Sequence, residues 1–462
     1  MDYRTERDTL GEVQVPADAL YGAQTQRAVE NFPVSGMVAQ PSLIRATAWI
    51  KKAAARANRD LGRLPAVQAD AIVQAADEVI AGQWNAQFVV DVFQAGAGTS
   101  HNMNTNEVIA SRAAALLGSP GDRSVVHPND HVNMGQSTND VMPTAIRLAS
   151  LALLQDLYPA VHGLADALEE KAVEFADVLK SGRTHLQDAV PIRLGQEFGA
   201  YARTVRRCAR RLSVGEESLC ELGIGGSAVG TGLNAGREFR ELTVRYLREE
   251  TGFDLRSAED LVEAMQNMDP FLELSGNLRL VAVALTRIAN DFRLLASGPN
   301  TGLDELRLPA VQPGSSIMPG KVNPVMAEML NQACYHVLGN DQAVLLGVQA
   351  GQLELNVMMP MIGHNLFEQL RVLTGAIDAF TRKCVRGIQP NEERLRYYLD
   401  RTLGLATALN PYIGYANAAA IAKEAQATGR SIRELVAEKG LLSPEELERV
   451  LSPENMADAW KQ

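Results

Sequence analysis

The sequence predicts a mainly α-helical fold whose centre is five long helices between about residues 140 and 390. Three observations predict it. From Leu274 the apolar positions run Leu278, Val281, Leu285, Ile288, Phe292 and Leu295, alternating four and three apart, the 3.5-residue repeat of a long helix packed lengthwise in a bundle. Two further series run Leu154, Leu157, Val161, Leu164, Leu168, Phe175 and Val178, broken only by Lys171, and Leu366, Leu370, Leu373, Ile377 and Phe380. The segments 194–222 and 324–350 are rich in Ala, Leu and Met and supply the remaining two helices.

Each element follows from these patterns. Pro159, Pro270 and Pro360 are expected to bend or interrupt the long helices, because proline lacks the N–H and crowds the preceding turn. Small residues along the helices permit close packing, and one bundle leaves enough apolar surface that several chains are expected to associate. The flanks read differently. Residues 1–139 carry shorter helices, about 40–60 and 66–82, with Gly/Asn-rich loops. Residues 390–462 carry short charged helices broken after Gly404 and Gly440. The expected division is therefore an N-terminal domain 1–139, a central helical domain 140–390 and a small helical domain 391–462.

A chain of 462 residues that is 46% hydrophobic and 21% charged can bury a sizeable core. A net charge of -11 argues against a nucleic-acid partner but not against a small anionic substrate, because a pocket on an acidic protein can be locally basic. Cys208, Cys220, Cys334 and Cys384 are scattered, without a CxxC pair or a histidine at metal-ligand spacing, and read as reduced core thiols. The mixed-charge N-terminus resembles neither a signal nor a transit peptide, and no apolar run approaches the ~20 residues that span a membrane. A cytoplasmic location without membrane contact is expected.

The chemistry concentrates in three polar, glycine-bearing stretches. The first is Gly96-Ala97-Gly98-Thr99-Ser100-His101-Asn102-Met103-Asn104-Thr105-Asn106-Glu107, with His127-Pro128-Asn129-Asp130 and Gln136-Ser137-Thr138-Asn139-Asp140 downstream. The second is Gly182-Arg183-Thr184-His185-Leu186-Gln187-Asp188, and the third runs from Gly314 to Pro324. Alone, each has an ordinary explanation. Ser137, Thr138 and Asn139 read best as a helix cap before Pro143, and a lone histidine such as His185 is more often structural than catalytic. Together they supply hydroxyls, amides, one histidine and one lysine, which is what a substrate with two carboxylates requires. No phosphate-binding loop or dinucleotide fingerprint is present, since the Gly98, Gly225 and Gly230 regions lack the strand–turn–helix context.

The run Gly314-Ser-Ser-Ile-Met-Pro-Gly-Lys-Val-Asn-Pro324 is similar to the signature loop of the aspartase/fumarase superfamily, and the other two stretches match its further blocks in the same order, the likeness running from residue 3 to 460. The resemblance implies a three-domain subunit whose five-helix bundle joins three others in a twenty-helix homotetramer, with each active site built from three chains. It implies a lyase that needs no cofactor and no metal, and that abstracts a proton beside a carboxylate of a small dicarboxylate substrate through an aci-carboxylate intermediate. By resemblance Ser315 is the base, activated by Lys321 and backbone N–H groups of its loop. Lys321, Asn323 and Ser316 bind a substrate carboxylate, Thr99, Ser137, Thr138, Asn139 and Thr184 hold the remaining polar groups, and His185 orients the substrate. Glu328 is a supporting partner, placed against His185 of another chain.

Within the superfamily the loops resemble aspartate ammonia-lyases more than class II fumarases. Gly-Ala-Gly-Thr-Ser at 96–100, Gln-Ser-Thr-Asn-Asp at 136–140, Asn290–Gly298, Asn323–Glu328 and Ala350–Met358 lean that way. Fumarases typically carry Gly-Ser-Gly-Thr and Gln-Ser-Ser-Asn-Asp, so Ala97 stands where a hydroxyl would be. Gly225-Gly-Ser-Ala-Val-Gly230 is more fumarase-like, and His127–Asp130 resembles the accessory anion site of fumarases or is a structural loop. Adenylosuccinate and argininosuccinate lyases resemble the signature loop less closely. A structural role without catalysis is the remaining alternative, and the joint presence of Ser315, Lys321, Asn323, Thr184 and His185 speaks against it.

Overall fold

A computed structural model describes residues 2–459; Met1 and residues 460–462, at the ends of the expected outer domains, lie outside the described residues. In chain order the elements begin with a hairpin, β1 (Tyr3–Asp8) and β2 (Gly11–Pro16). Four helices follow: α1 (Ala23–Asn31), α2 (Pro41–Asp60), α3 (Ala66–Ile80) and α4 (Thr99–Leu116). Next come α5 (Thr138–Glu174), a second hairpin β3 (Leu179–Thr184) and β4 (Gln187–Arg193), and α6 (Leu194–Leu219). A short parallel pair, β5 (Glu221–Leu222) and β6 (Arg256–Ser257), flanks α7 (Arg237–Thr251). The chain continues through α8 (Leu261–Gln266), α9 (Asp269–Leu295), β7 (Leu306–Arg307), α10 (Val325–Gln349), α11 (Met359–Lys383), β8 (Gln389–Pro390) and α12 (Glu392–Arg401). Short helices complete it to Ala457.

The five long helices are α5, α6, α9, α10 and α11, as the apolar repeats predict. Every member of the α9 series from Leu274 to Leu295 is buried, and Leu366, Leu370, Leu373, Ile377 and Phe380 on α11 are fully so. Lys171, the break in the α5 series, is buried on the same stripe, because its ammonium donates to the Ile388 carbonyl at 2.9 Å and to Glu174 at 2.7 Å. Two expectations need correction. Helix α5 stops at Glu174, so Phe175 and Val178 belong to the connection into β3. Pro159 interrupts nothing: α5 runs through it, and Pro270 and Pro360 are the second residues of α9 and α11, where the missing N–H has no intrahelical partner to lose. The β3–β4 hairpin was not legible in the apolar pattern, because its strands alternate poorly and its turn is His-Leu rather than Asn-Gly.

The chain divides into two compact units, and residues of all five long helices contribute to each. The first comprises 1–158, 210–282 and 335–374. Its apolar core includes a cluster running from Val13 to Val132, and Ser275 on α9 bonds Asp341 on α10 at 2.7 Å and shares a hydrogen bond with Gln369 on α11. The second comprises 159–209, 283–334 and 375–462. There Phe292 stacks on Phe198 (5.4 Å between centroids) and on Phe380 (5.8 Å), with Tyr201 edge-on, joining α6, α9 and α11. A separate cluster from Leu405 to Leu451 closes the C-terminal helices on themselves. All four cysteines are buried and unbridged. Among the described residues no helix is long and apolar enough to cross a membrane.

The aromatic contact makes a stability prediction. Phe292→Ala removes a fully buried ring with two stacked neighbours and is expected to destabilise the chain by about 3–5 kcal/mol. Val173→Ala, at a 77% exposed position, is expected to stay within about 0.5 kcal/mol. Denaturant unfolding of the two variants against the parent checks both.

Candidate active site

In the first unit the candidate residues sit at two helix starts. Gly98, at φ +87°, precedes α4, and a Cβ there would lie 2.6 Å from the Met142 side chain, so only glycine fits. Ala97 is also left-handed, at φ +61°, buried, and donates its N–H to the Val357 carbonyl at 3.0 Å. Thr99 opens α4, exposed, and its hydroxyl engages no described residue. At the second start Ser137 caps α5. Its hydroxyl accepts from the Asn139 N–H at 3.2 Å, while Asp140 returns a carboxylate oxygen to the Ser137 N–H at 2.9 Å. The capping role read from sequence is thus real, and it leaves the Thr138 hydroxyl to the polar residues behind it.

Behind Thr138 lies a polar shell that the sequence reading missed. Lys51 on α2 is fully buried and donates to three amide oxygens, Asn102 (2.8 Å), Asn133 (2.9 Å) and Gln136 (3.0 Å). Asn102 in turn donates to the Thr138 hydroxyl at 3.2 Å. Each amide is oriented by giving its oxygen to the ammonium, so its NH2 points away from Lys51, and that of Asn102 links the Thr138 hydroxyl to a buried lysine. Burial pulls the Lys51 ammonium down to about 7, opposed by the Asp140 charge. Asp140 is fully buried as well, and burial raises it to about 6 despite three backbone donors, from Ser137, Gly225 (3.0 Å) and Ser227 (2.9 Å). Those bonds, with Asn139 donating to the Ala228 carbonyl at 2.9 Å, fasten the Gly225–Gly230 loop to the start of α5. The signal that could have found Lys51 is weak: a lysine on the Ala-rich face of an amphipathic helix looks like any other surface cation.

Other members of the first polar stretch are structural. His101 is buried, hydrogen-bonded to Thr47 at 3.0 Å, and burial lowers it to about 4, so it is neutral. Glu107 accepts from the Gly22, Gln24 and Thr25 N–H groups and from the Thr25 hydroxyl, capping α1. The His127–Asp130 run is self-satisfied: the Asp130 N–H donates to His127 Nδ1 at 3.1 Å and the His127 N–H to His131 Nδ1 at 2.9 Å.

In the second unit the β3–β4 hairpin turns through His185 and Leu186, both left-handed at φ +54° and +60°. Such a turn normally carries Asn-Gly, and two side chains there are an observed strain at a candidate functional position. Thr184 and His185 are exposed, and neither side chain bonds a described residue. The connection from β7 to α10 holds the signature loop. The Gly314 N–H donates to the Lys321 carbonyl at 2.8 Å, and the Asn323 amide donates to the Gly314 carbonyl at 2.7 Å, closing the loop at its neck. Within it the Ser315 hydroxyl oxygen accepts from the Ile317 N–H at 3.2 Å and the Met318 N–H at 3.0 Å. Two donors aimed at one oxygen favour negative charge on it. Ser316 and Lys321 are exposed and, like the half-buried Glu328 in the first turn of α10, make no side-chain hydrogen bond or ion pair with a described residue. The loop ends at the N-terminus of α10, so α4, α5 and α10 each offer a helix N-terminus beside candidate residues, where unpaired N–H groups and the dipole favour anions.

The chain matches a known family along nearly its whole length. The lyase family model matches residues 11–339, and the fumarase C C-terminal model matches 405–458. The aspartate ammonia-lyase of Bacillus subtilis is 50% identical over 456 residues, covering 98% of this chain and 96% of that protein. The class II fumarate hydratase of Halobacterium salinarum is 54% identical over 457 residues, covering 98% and 97%. The structure of a fumarate lyase:delta crystallin from Brucella melitensis superposes with a TM-score of 0.96 at 50% identity, covering 99% of this chain and all of that one.

The Lys51 shell yields a pH prediction. Lys51 gives up its proton near pH 7 when folded and near 10.5 when unfolded, so between these values the unfolded chain binds more protons and stability at this position rises with pH. Lys51→Met removes that rise. Unfolding free energies measured from pH 7 to 10 are expected to diverge in the parent's favour, by on the order of a few kcal/mol in total; a constant offset would contradict the burial effect. With a lyase family model over residues 11–339 and relatives about half identical along nearly its whole length, the chain belongs to the lyase family that contains the aspartases and class II fumarases.

Proposed function

We propose that the chain is an aspartate ammonia-lyase, which removes ammonia from L-aspartate to give fumarate reversibly. The observation that carries the proton-abstracting half of this reading is the pair of backbone N–H groups on the Ser315 oxygen. They supply part of what a serine needs to act as an alkoxide base, and Lys321 adds positive potential. Ser315 takes the proton from Cβ, and the electron pair passes into the adjoining carboxylate as the aci-form. The C–N bond then breaks, ammonia leaves and the double bond of fumarate forms. Lys321, Asn323 and Ser316 hold the carboxylate that gains charge, and preorganised donors there are worth several kcal/mol. Thr99, Ser137, Thr138, Asn139 and Thr184 take the remaining polar groups, His185 orients the substrate and Glu328 supports it.

The preference for an amine rests on Ala97 and Thr138. Ala97 puts a methyl group where fumarase-type loops carry a hydroxyl, and the Thr138 hydroxyl, already accepting from Asn102, keeps a free lone pair for an ammonium donor. A fumarate hydratase is the second reading, favoured by the fumarase-like Gly225–Gly230 loop, which bonds directly to Asn139 and Asp140. We further infer a cytoplasmic homotetramer of three-domain subunits, divided at about residues 139 and 390, whose active sites each draw on three chains. Exposed Leu280, Val283 and Leu294 on α9 and Leu346 on α10 support association along the long helices. No cofactor enters the reaction, and no nucleic acid or membrane is a partner.

The test is the ultraviolet absorbance of fumarate when the purified protein meets L-aspartate or L-malate. Fumarate from aspartate alone supports the ammonia-lyase; fumarate from malate alone makes the second reading correct. Ser315→Ala is expected to lower kcat by about 10²–10⁴-fold while leaving the assembly intact, and parent-like turnover would remove Ser315 as the base. Lys321→Ala is expected to raise KM about tenfold or more, since a charge-assisted hydrogen bond to the carboxylate is lost.

A further inference from the structure

We propose that Glu305 is a positioning residue, the common anchor from which the Thr184–His185 turn and the Ser315 loop are both held in place. This rests on the reading of those residues as active-site groups. Glu305 is fully buried, and one carboxylate oxygen accepts from Arg183 Nη2 at 2.6 Å while the other lies 3.2 Å from the Lys180 ammonium. Lys180, also buried, donates to both carboxylate oxygens of Glu197, at 2.9 and 3.1 Å. Arg183 is the residue immediately before Thr184, and its guanidinium lies over the Tyr398 ring, 5.3 Å from the centroid. The β3–β4 pairing is irregular between Ser181 and Arg183, an interruption of the kind that re-aims a side chain. Arg183 is largely buried while Thr184 is exposed.

The same Glu305 is fixed through its backbone. Its N–H donates to the Leu295 carbonyl at 2.8 Å, its carbonyl accepts from the Asn391 N–H at 2.9 Å, and the next two residues form β7 against β8. The connection that carries Ser315 begins directly after β7. One side chain therefore grips the root of the strained turn, and its own backbone is the root of the loop. Stability does not account for the arrangement, because buried ion pairs give back in desolvation much of what they gain, and apolar packing would hold a hairpin as well. What a two-cation, two-carboxylate network supplies instead is direction: the guanidinium fork accepts one orientation of the strand, and a left-handed His-Leu turn needs its stem held rigidly.

The test uses Glu305→Gln and Arg183→Lys in the full-length protein, confirmed folded by circular dichroism. Two readouts apply: hydrogen exchange by mass spectrometry, and kcat and KM with whichever of L-aspartate and L-malate the parent converts. Glu305→Gln is expected to speed exchange in both 184–190 and 303–312, with kcat/KM down by about 10²-fold, the cost of a small misplacement. Arg183→Lys is expected to speed exchange in 184–190 alone and to recover part of the activity. Parent-like exchange in both segments overturns the proposal, as does exchange raised throughout the chain with parent-like kcat, which would make Glu305 merely structural. If Glu305→Gln does not fold, Arg183→Lys decides alone: unchanged exchange in 184–190 with unchanged kcat/KM overturns the anchor. A parent that converts neither substrate defeats the proposed function, and the exchange pattern then judges the anchor by itself.

Discussion

The apolar stripe on α9, seven side chains from Leu274 to Leu295 buried in 3.5-residue repeat, is the constraint on which the rest of the structure depends. It fixes one long helix rigidly, and in the second unit its Phe292 ring locks α6 and α11 to it. Helices held this way have ends whose positions are set, and the candidate residues lie at such ends. Thr138 starts α5, Lys321 and Asn323 precede α10, and the hairpin bearing His185 joins α5 to α6. Burial in the middle of the helices is thus converted into placement at their tips, where the polar residues need no apolar support of their own.

The placement has an electrostatic counterpart. Both units bury charge next to candidate residues, but in different ways. Among the described residues Lys51 has no anion at contact distance and is satisfied by three amide oxygens, one of them on the Asn102 that donates to the Thr138 hydroxyl. Glu305 by contrast is matched by two cations and contributes almost no net field, only geometry. One unit thus buries a cation held by neutral amides, and the other a matched network of two cations and two carboxylates.

The long helices were legible, and the candidate stretches stood out, because each leaves a local mark. Apolar side chains recur at helical spacing, and hydroxyls and amides cluster around glycines in loops. The interactions behind them left none. Lys51 and Asn102 are 51 residues apart, Arg183 and Glu305 are 122 apart, and nothing in either local sequence says that the partner exists. Pro159 does not interrupt α5 for a related reason: a proline in a long helix is tolerated where tertiary packing holds the helix, and packing is not local information. The cap that Ser137 makes on α5 shows the reverse, an ordinary explanation that the local sequence already carried.

The burial of every native cysteine bears on how the signature loop can be studied. Burial pushes Cys334 up to about 11 and Cys384 to about 12, and raises Cys220, so none of these three is a thiolate at neutral pH and reagents do not reach them readily. Ile317, two residues from Ser315, is 83% exposed. A cysteine placed there is an exposed thiol in a chain whose own four are buried, and a fluorophore or spin label on it reports the surroundings of the loop without first stripping the protein of its native cysteines.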